Sequence, residues 1–273
     1  MNNKSICKGK YDLSSITPTI CELMNVQKPV ISSDKTISEI LEKSKEILKS
    51  KIDKCLVFAP DAIGSLFYNK YKSKFKPVED YSTLSLELCS IYPPKTPVCF
   101  ASMFTGAQPD IHGIKEYEKP VLSCDTIFDA FIRNGKKVAI VAVENSSIDM
   151  IFRNRNMDYF SKTNDSEVAA KTIDLLENDS HDLIVVYQQE YDDLLHKTHH
   201  ESKEALKAID NHVKHFTYIT KSVEKNWSND NRFILFTPDH GAHFDEEKNI
   251  GFHGRYIPLD MLVRHFFTIK TAK

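Results

Sequence analysis

Four short apolar runs stand at wide intervals along the chain, at residues 55–59, 138–143, 183–187 and 233–236. Each is rich in Val, Ile, Leu and Phe without polar alternation, the pattern of parallel strands covered on both faces. Between them apolar residues recur at helical spacing. Thr36-Ile37-Ser38-Glu39 resembles a capping box, and Ile37, Ile40, Leu41, Ser44, Ile47 and Leu48 then share one face. Residues 125–134 predict a helix that ends at Gly135 and feeds the second strand. The longest helix is predicted over 201–227, with Leu206, Ile209, Val213, Phe216 and Val223 as its buried stripe. Strands alternating with helices predict an α/β, doubly wound, mostly parallel central sheet with helices on both faces. No repeat or Gly/Ser linker divides the chain, so residues 1–273 read as a single domain. Residues 1–30 form an N-terminal segment docked on it, with a short helix in Ile16-Thr17-Pro18-Thr19-Ile20-Cys21-Glu22-Leu23-Met24.

Residues able to carry chemistry follow the strands. Thr237-Pro238-Asp239-His240-Gly241 comes directly after the fourth run, and Gly251-Phe252-His253-Gly254 shortly later. Carboxylates and imidazoles ligate divalent metals, and α/β proteins build sites at the carboxyl ends of their strands. Asp61 follows the first run; such an Asp also serves as a turn or helix cap. Asp192 and His196 follow the third run and are four residues apart, on one face of a helical turn, though surface charge would give the same spacing. Asp193 beside Asp192 leaves the choice of carboxylate to spacing, which favours Asp192. Thr96, among Pro93, Pro94 and Pro97, precedes an apolar helical stretch. It reads either as an N-cap or as an oxygen nucleophile at a helix N-terminus.

In this order, Asp61, Thr96, Asp192/His196, Asp239-His240 and His253 resemble the alkaline phosphatase superfamily, most closely its nucleotide pyrophosphatase/phosphodiesterase branch. The resemblance covers residues 53–258, and its most specific parts are the stretch 96–114, the T-P-D-H-G run and G-F-H-G. It implies a two-metal phosphoester hydrolase acting through Thr96 and a covalent phosphothreonine. One ion would be held by Asp192, His196 and His253, the other by Asp61, Asp239 and His240 with the Thr96 oxygen. Mixed carboxylate and imidazole ligation suits Zn2+, with Mn2+ as the second candidate. The resemblance reads Cys99, Lys95 and Arg255 as substrate contacts, although a thiol is a weak donor. A phosphomonoesterase of the same superfamily is the alternative, and a non-catalytic metal-containing binding protein on the same fold the second.

Composition narrows the partners to small molecules. A formal net charge of -2 offers no field for a nucleic-acid polymer or an anionic membrane. The polar start, Met1-Asn2-Asn3-Lys4-Ser5, lacks the apolar segment of a secretory leader, and no run approaches the ~20 apolar residues of a membrane span. The expectation is a cytoplasmic protein. Cys7, Cys21, Cys55, Cys89, Cys99 and Cys124 show no CxxC pair and are expected to be mostly reduced core residues, without a disulfide framework.

Overall fold

A computed structural model describes residues 6–273. The four apolar runs form β1 (Lys54–Pro60), β3 (Val138–Val143), β5 (Leu183–Gln188) and β6 (Arg232–Phe236). They join β2 (Leu84–Cys89), β4 (Asp158–Lys162) and β9 (Leu262–Lys270) in a seven-stranded sheet of order β2-β9-β6-β1-β5-β3-β4. All neighbours are parallel except at β9, which runs antiparallel to both β6 and β2. A separate hairpin pairs β7 (His243–Asp245) with β8 (Ile250–Phe252).

Two apolar layers cover the sheet. Alternate β1 residues Cys55, Val57 and Ala59 face α1 (Ile16–Leu23), α2 (Ser38–Ile47), α5 (Thr96–Thr105), α7 (Ile127–Arg133) and α8 (Ser147–Ile151). Leu56 and Phe58 face α3 (Ser65–Lys70), α4 (Lys76–Tyr81), α9 (Asp165–Glu177), α10 (Glu190–Leu195) and α11 (Lys203–Asn226). Burial on both faces is why β1 reads as an unbroken apolar run. Two single turns, α6 (Pro109–His112) and α12 (Pro258–Met261), lie in the connecting segments. Among the described residues no helix is long and apolar enough to cross a membrane.

Three local expectations are corrected. The capping box at Thr36 does not form: Ile37 is the N-cap of α2, fully buried, and its N–H is donated to Thr19 Oγ1 at 2.9 Å. Burying the Ile37 side chain sets the helix start, while a true capping box closes α7 between Thr126 and Asp129. The cysteines are not all reduced, because Cys7 and Cys89 form a disulfide with Cα atoms 5.6 Å apart, whereas Cys21, Cys55, Cys99 and Cys124 are free. Their partnership follows from the backbone: the segment through Tyr11 and Asp12 runs beside the end of β2, and Cys89 N–H donates to Tyr11 O at 2.8 Å. Strands β2, β4 and β9 had no counterpart among the predicted runs. The N-terminal segment does dock, with Thr17 Oγ1 donating to Met103 O of α5 at 2.6 Å.

Two glycines let the loops after β1 and β6 cross. A Cβ on Gly241 would lie deep inside the Leu259 carbonyl oxygen and 2.7 Å from Gly64 Cα. Gly241→Ala is expected to cost about 2–3 kcal/mol through overpacking against backbone, read as a lowered urea midpoint; an unchanged midpoint would show that the crossing yields. A second test concerns His112, whose Nδ1 accepts the Ile114 N–H at 3.2 Å and whose Nε2 faces Ser102 Oγ at 2.8 Å. Burial lowers its pKa to about 4, so the unfolded chain takes up this proton first as pH falls below ~6.5. Stability is therefore lost between roughly pH 6.5 and 4, and His112→Gln should lessen the fall in melting temperature over that window, with half-buried His200 and buried His265 contributing to the remainder.

Candidate active site

The three central neighbours β6, β1 and β5 end side by side, and the residues after them converge. Asp61 follows β1, Asp239 and His240 follow β6, and Asp192 and His196 lie on and just after α10, which continues from β5. His253 arrives from the β7–β8 hairpin. Asp192, His196 and His253 each bring a ligand atom within 4.8 Å of the others, and Asp61, Asp239 and His240 do the same. The two sets meet where the His240 and His253 rings stack, centroids 4.0 Å apart.

The polar atoms point as metal ligation requires. His240 Nδ1 faces Gly241 O at 3.1 Å and His253 Nδ1 faces Pro94 O at 2.8 Å, which assigns the proton to Nδ1 and leaves each Nε2 a lone pair. His240 Nε2 lies 3.3 Å from Asp239 Oδ2 and 3.6 Å from Asp61 Oδ1. In the other set, Asp192 Oδ1 lies 3.4 Å from His196 Nε2 and 3.5 Å from His253 Nε2. Asp61 Oδ1, Asp192 Oδ1 and Asp239 Oδ2 are buried without a hydrogen-bond partner. Two tetrahedral ligands at about 2.0–2.1 Å from Zn2+ stand roughly 3.3 Å apart, so the donor sets fit a divalent ion in chemistry and spacing.

Burial shifts every member, and repulsion between the carboxylates adds to it at Asp61 and Asp192. Desolvation, then Asp239 and Asp192, pushes Asp61 well above the carboxylate range. Asp192 rises through burial, then Asp239 and Asp193, and Asp239 rises chiefly through burial. Burial followed by the neighbouring imidazoles holds His240 far below its ordinary value and His253 at about 3. The histidines are held neutral, and the carboxylates lack the positive charge that would let them ionise.

Thr96 does not cap its own helix. Lys95 is the N-cap of α5 and Thr96 its first residue, with its hydroxyl 3.4 Å from both Asp61 Oδ2 and His240 Nε2. Asp193 points outward, taking a bond from Gln189 Nε2 at 3.3 Å, so Asp192 is the carboxylate that faces His196 and His253. Cys99 is a correction: its thiol is fully buried against Ser90 Oγ at 3.2 Å and Ile91 O at 3.7 Å, among core groups and not toward the ligand sets. Lys95 is paired with Glu116, and the Arg255 guanidinium with Asp245 at 2.9 Å.

Other polar groups support the site. The Tyr187 hydroxyl, buried at the end of β5, donates to Asp61 Oδ2 and leaves Oδ1 free. Ser90 Oγ donates to Asp239 O at 2.6 Å. His243 Nδ1 donates to Asp260 Oδ1 at 2.8 Å. Tyr187 hides in sequence as one more apolar strand residue, and nothing in the spacing marks Ser90 or Asp260.

The type I phosphodiesterase/nucleotide pyrophosphatase family model matches residues 64–268. Murine ectonucleotide pyrophosphatase/phosphodiesterase 5, solved as an inactive variant in complex with AMP, aligns with TM-score 0.56 at 18% identity, over 71% of this chain and 59% of that one. Phosphonoacetate hydrolase from Sinorhizobium meliloti 1021, in complex with phosphonoacetate, aligns with TM-score 0.52 at 13% identity, over 72% and 59%. The C-terminal periplasmic domain of Escherichia coli EptC, in complex with Zn, aligns with TM-score 0.50 at 13% identity, over 82% and 74%. These likenesses concern the fold, and the chain spans only 59% of the length of the first two. No curated protein matches the sequence. With the family model covering most of the chain, and with the alkaline phosphatase-like sheet beneath it, the chain belongs to the type I phosphodiesterase/nucleotide pyrophosphatase family within the alkaline phosphatase superfamily.

Proposed function

We propose that the chain is a phosphodiesterase that holds two divalent ions, Zn2+ or Mn2+, and uses Thr96 Oγ1 as nucleophile. The observation that carries this reading is the set of three partnerless, buried carboxylate oxygens, each 3.3–3.6 Å from an imidazole Nε2, in the two clusters that meet beside the Thr96 hydroxyl. When bound, divalent ions supply Lewis-acid charge that eases ionisation of a hydroxyl and offsets negative charge on phosphoryl oxygens.

The chain's own residues do the rest. Asp192, His196 and His253 would hold one ion, and Asp61, Asp239 and His240 the other. Tyr187 fixes Asp61 by occupying Oδ2. Thr96 opens α5, so its oxygen lies at the positive end of the helix dipole, among first-turn N–H groups suited to an anionic phosphoryl group. Its oxygen attacks phosphorus opposite the departing alkoxide. The Oγ1–P bond forms as the P–O bond to the leaving group breaks, the hydroxyl proton passes to solvent, and the product is a phosphothreonine diester or monoester. Water then attacks the same phosphorus, releasing the phosphate product and restoring the Thr96 hydroxyl. The two cations expected near the substrate, Lys95 and Arg255, are already paired with carboxylates. A diester, with one negative charge, needs less additional positive charge than a monoester with nearly two.

Metal-stripped protein reloaded with Zn2+ or Mn2+ should hydrolyse bis-p-nitrophenyl phosphate faster than p-nitrophenyl phosphate. Thr96→Ala should retain metal and lose at least about a thousandfold in kcat. Faster monoester turnover would make the protein a phosphatase. Metal-loaded protein inactive on both esters would leave the binding-protein reading.

A further inference from the structure

Asp260, on α12, belongs to neither ligand cluster, and its side chain is fully buried. Among the described residues its one ion-pair partner is His243, so neither lysine nor arginine neutralises it. Such a carboxylate is costly to bury unless its oxygens are well occupied. Asp260 Oδ1 accepts His243 Nδ1–H at 2.8 Å, and Oδ2 accepts the Arg255 N–H at 2.8 Å. The Asp260 backbone carbonyl takes the Gly241 N–H at 2.9 Å. Gly241 is the residue after His240, and Arg255 lies two residues after His253. One residue therefore bonds the backbone just beyond each of the two stacked imidazoles, one from each cluster.

We infer that Asp260 is a positioning residue: it clamps the loops carrying His240 and His253 together and so sets the separation of the two ligand clusters. The two loops leave different elements, β6 and the β7–β8 hairpin, and meet at the rim of the sheet. Charge-assisted hydrogen bonds to one ionised group are short and directional. The Nδ1–H of His243 is committed to the same carboxylate, and its buried Nε2 has no partner. The clamp is a property of the metal-free chain; only its consequence for ion binding rests on the proposed function.

The test uses the full chain as wild type, Asp260→Ala and Asp260→Asn, metal-free and then with added Zn2+. In metal-free protein, NMR of the His240 and His253 ring protons reads the stack through mutual ring-current shielding. Asp260→Ala should lose that shielding. Asp260→Asn should keep it, because the amide oxygen still accepts the Arg255 N–H while His243 takes its other tautomer toward the amide nitrogen. Calorimetric titration should show two Zn2+ sites in the wild type, with binding at the Asp192–His196–His253 set weakened about 10–100-fold in Asp260→Ala, as for other residues that orient metal ligands. In the same variant kcat should fall with KM little changed. A merely structural residue would lower the melting temperature and leave the shielding and both Zn2+ affinities in place. That outcome in folded Asp260→Ala overturns the clamp, as does a folded Asp260→Asn protein that has lost the stack, which keeps the test decisive if Asp260→Ala does not fold. Lost shielding in a protein whose wild type binds no Zn2+ would uphold the clamp and remove the two-metal reading.

Discussion

Three carboxylates, Asp61, Asp192 and Asp239, converge in one cleft, the first and last fully buried and Asp192 partly so, and none has a lysine or arginine beside it among the described residues. Desolvation opposes their ionisation, with mutual repulsion added at Asp61 and Asp192. The imidazoles between them are held neutral by the same burial and offer lone pairs, not charge. Desolvated carboxylates beside neutral imidazole lone pairs at 3.3–3.6 Å form the donor sets into which the proposed cations would fit. The rest of the structure holds those groups in place.

The sheet order does most of this work. β6, β1 and β5 are successive neighbours, locked in register through pairs such as Val57 with Leu235 and Val57 with Val185. Their carboxyl ends therefore deliver five of the six proposed ligands: Asp239, His240 and Asp61 fully buried, and Asp192 and His196 half-buried. Side-chain bonds then aim each group: Tyr187 on Asp61, and carbonyl groups on the His240 and His253 Nδ1 atoms. Gly64 and Gly241 allow two of these loops to cross at near-contact distance. Thr96 enters separately, at the start of a wholly buried helix, and this placement turns an ordinary helix-opening residue into a group facing the cleft.

Much of this was legible in the residues because the four central strands are apolar on both faces and the ligands follow directly after strand ends. Strands at or near the sheet edge were not: β4 is short and exposed, β2 is half-buried, and β9 carries Arg264 and His265 within its apolar run. The candidate residue types and their order could be read from the chain; the grouping of Asp192 with His253 came only from the family resemblance, because it depends on how the β7–β8 hairpin folds back. Cys99 was misassigned because distance along the chain from Thr96 does not say which side of a helix turn faces the cleft. Lys95 and Arg255 lie near the expected residues in sequence, but their charges are taken up by Glu116 and Asp245. The Cys7–Cys89 disulfide escaped for the same reason, since an 82-residue separation is closed only by the N-terminal segment running beside β2.

The central claim is that Thr96 Oγ1 becomes covalently bound to phosphorus. Stereochemistry at a chiral phosphorus tests it most directly: metal-loaded protein would hydrolyse an isotopically chiral thiophosphate diester in labelled water, and the configuration of the product would be determined. Two successive in-line displacements cancel, so the account predicts net retention. Net inversion would mean that water attacks the substrate directly, and would remove Thr96 from the role of nucleophile.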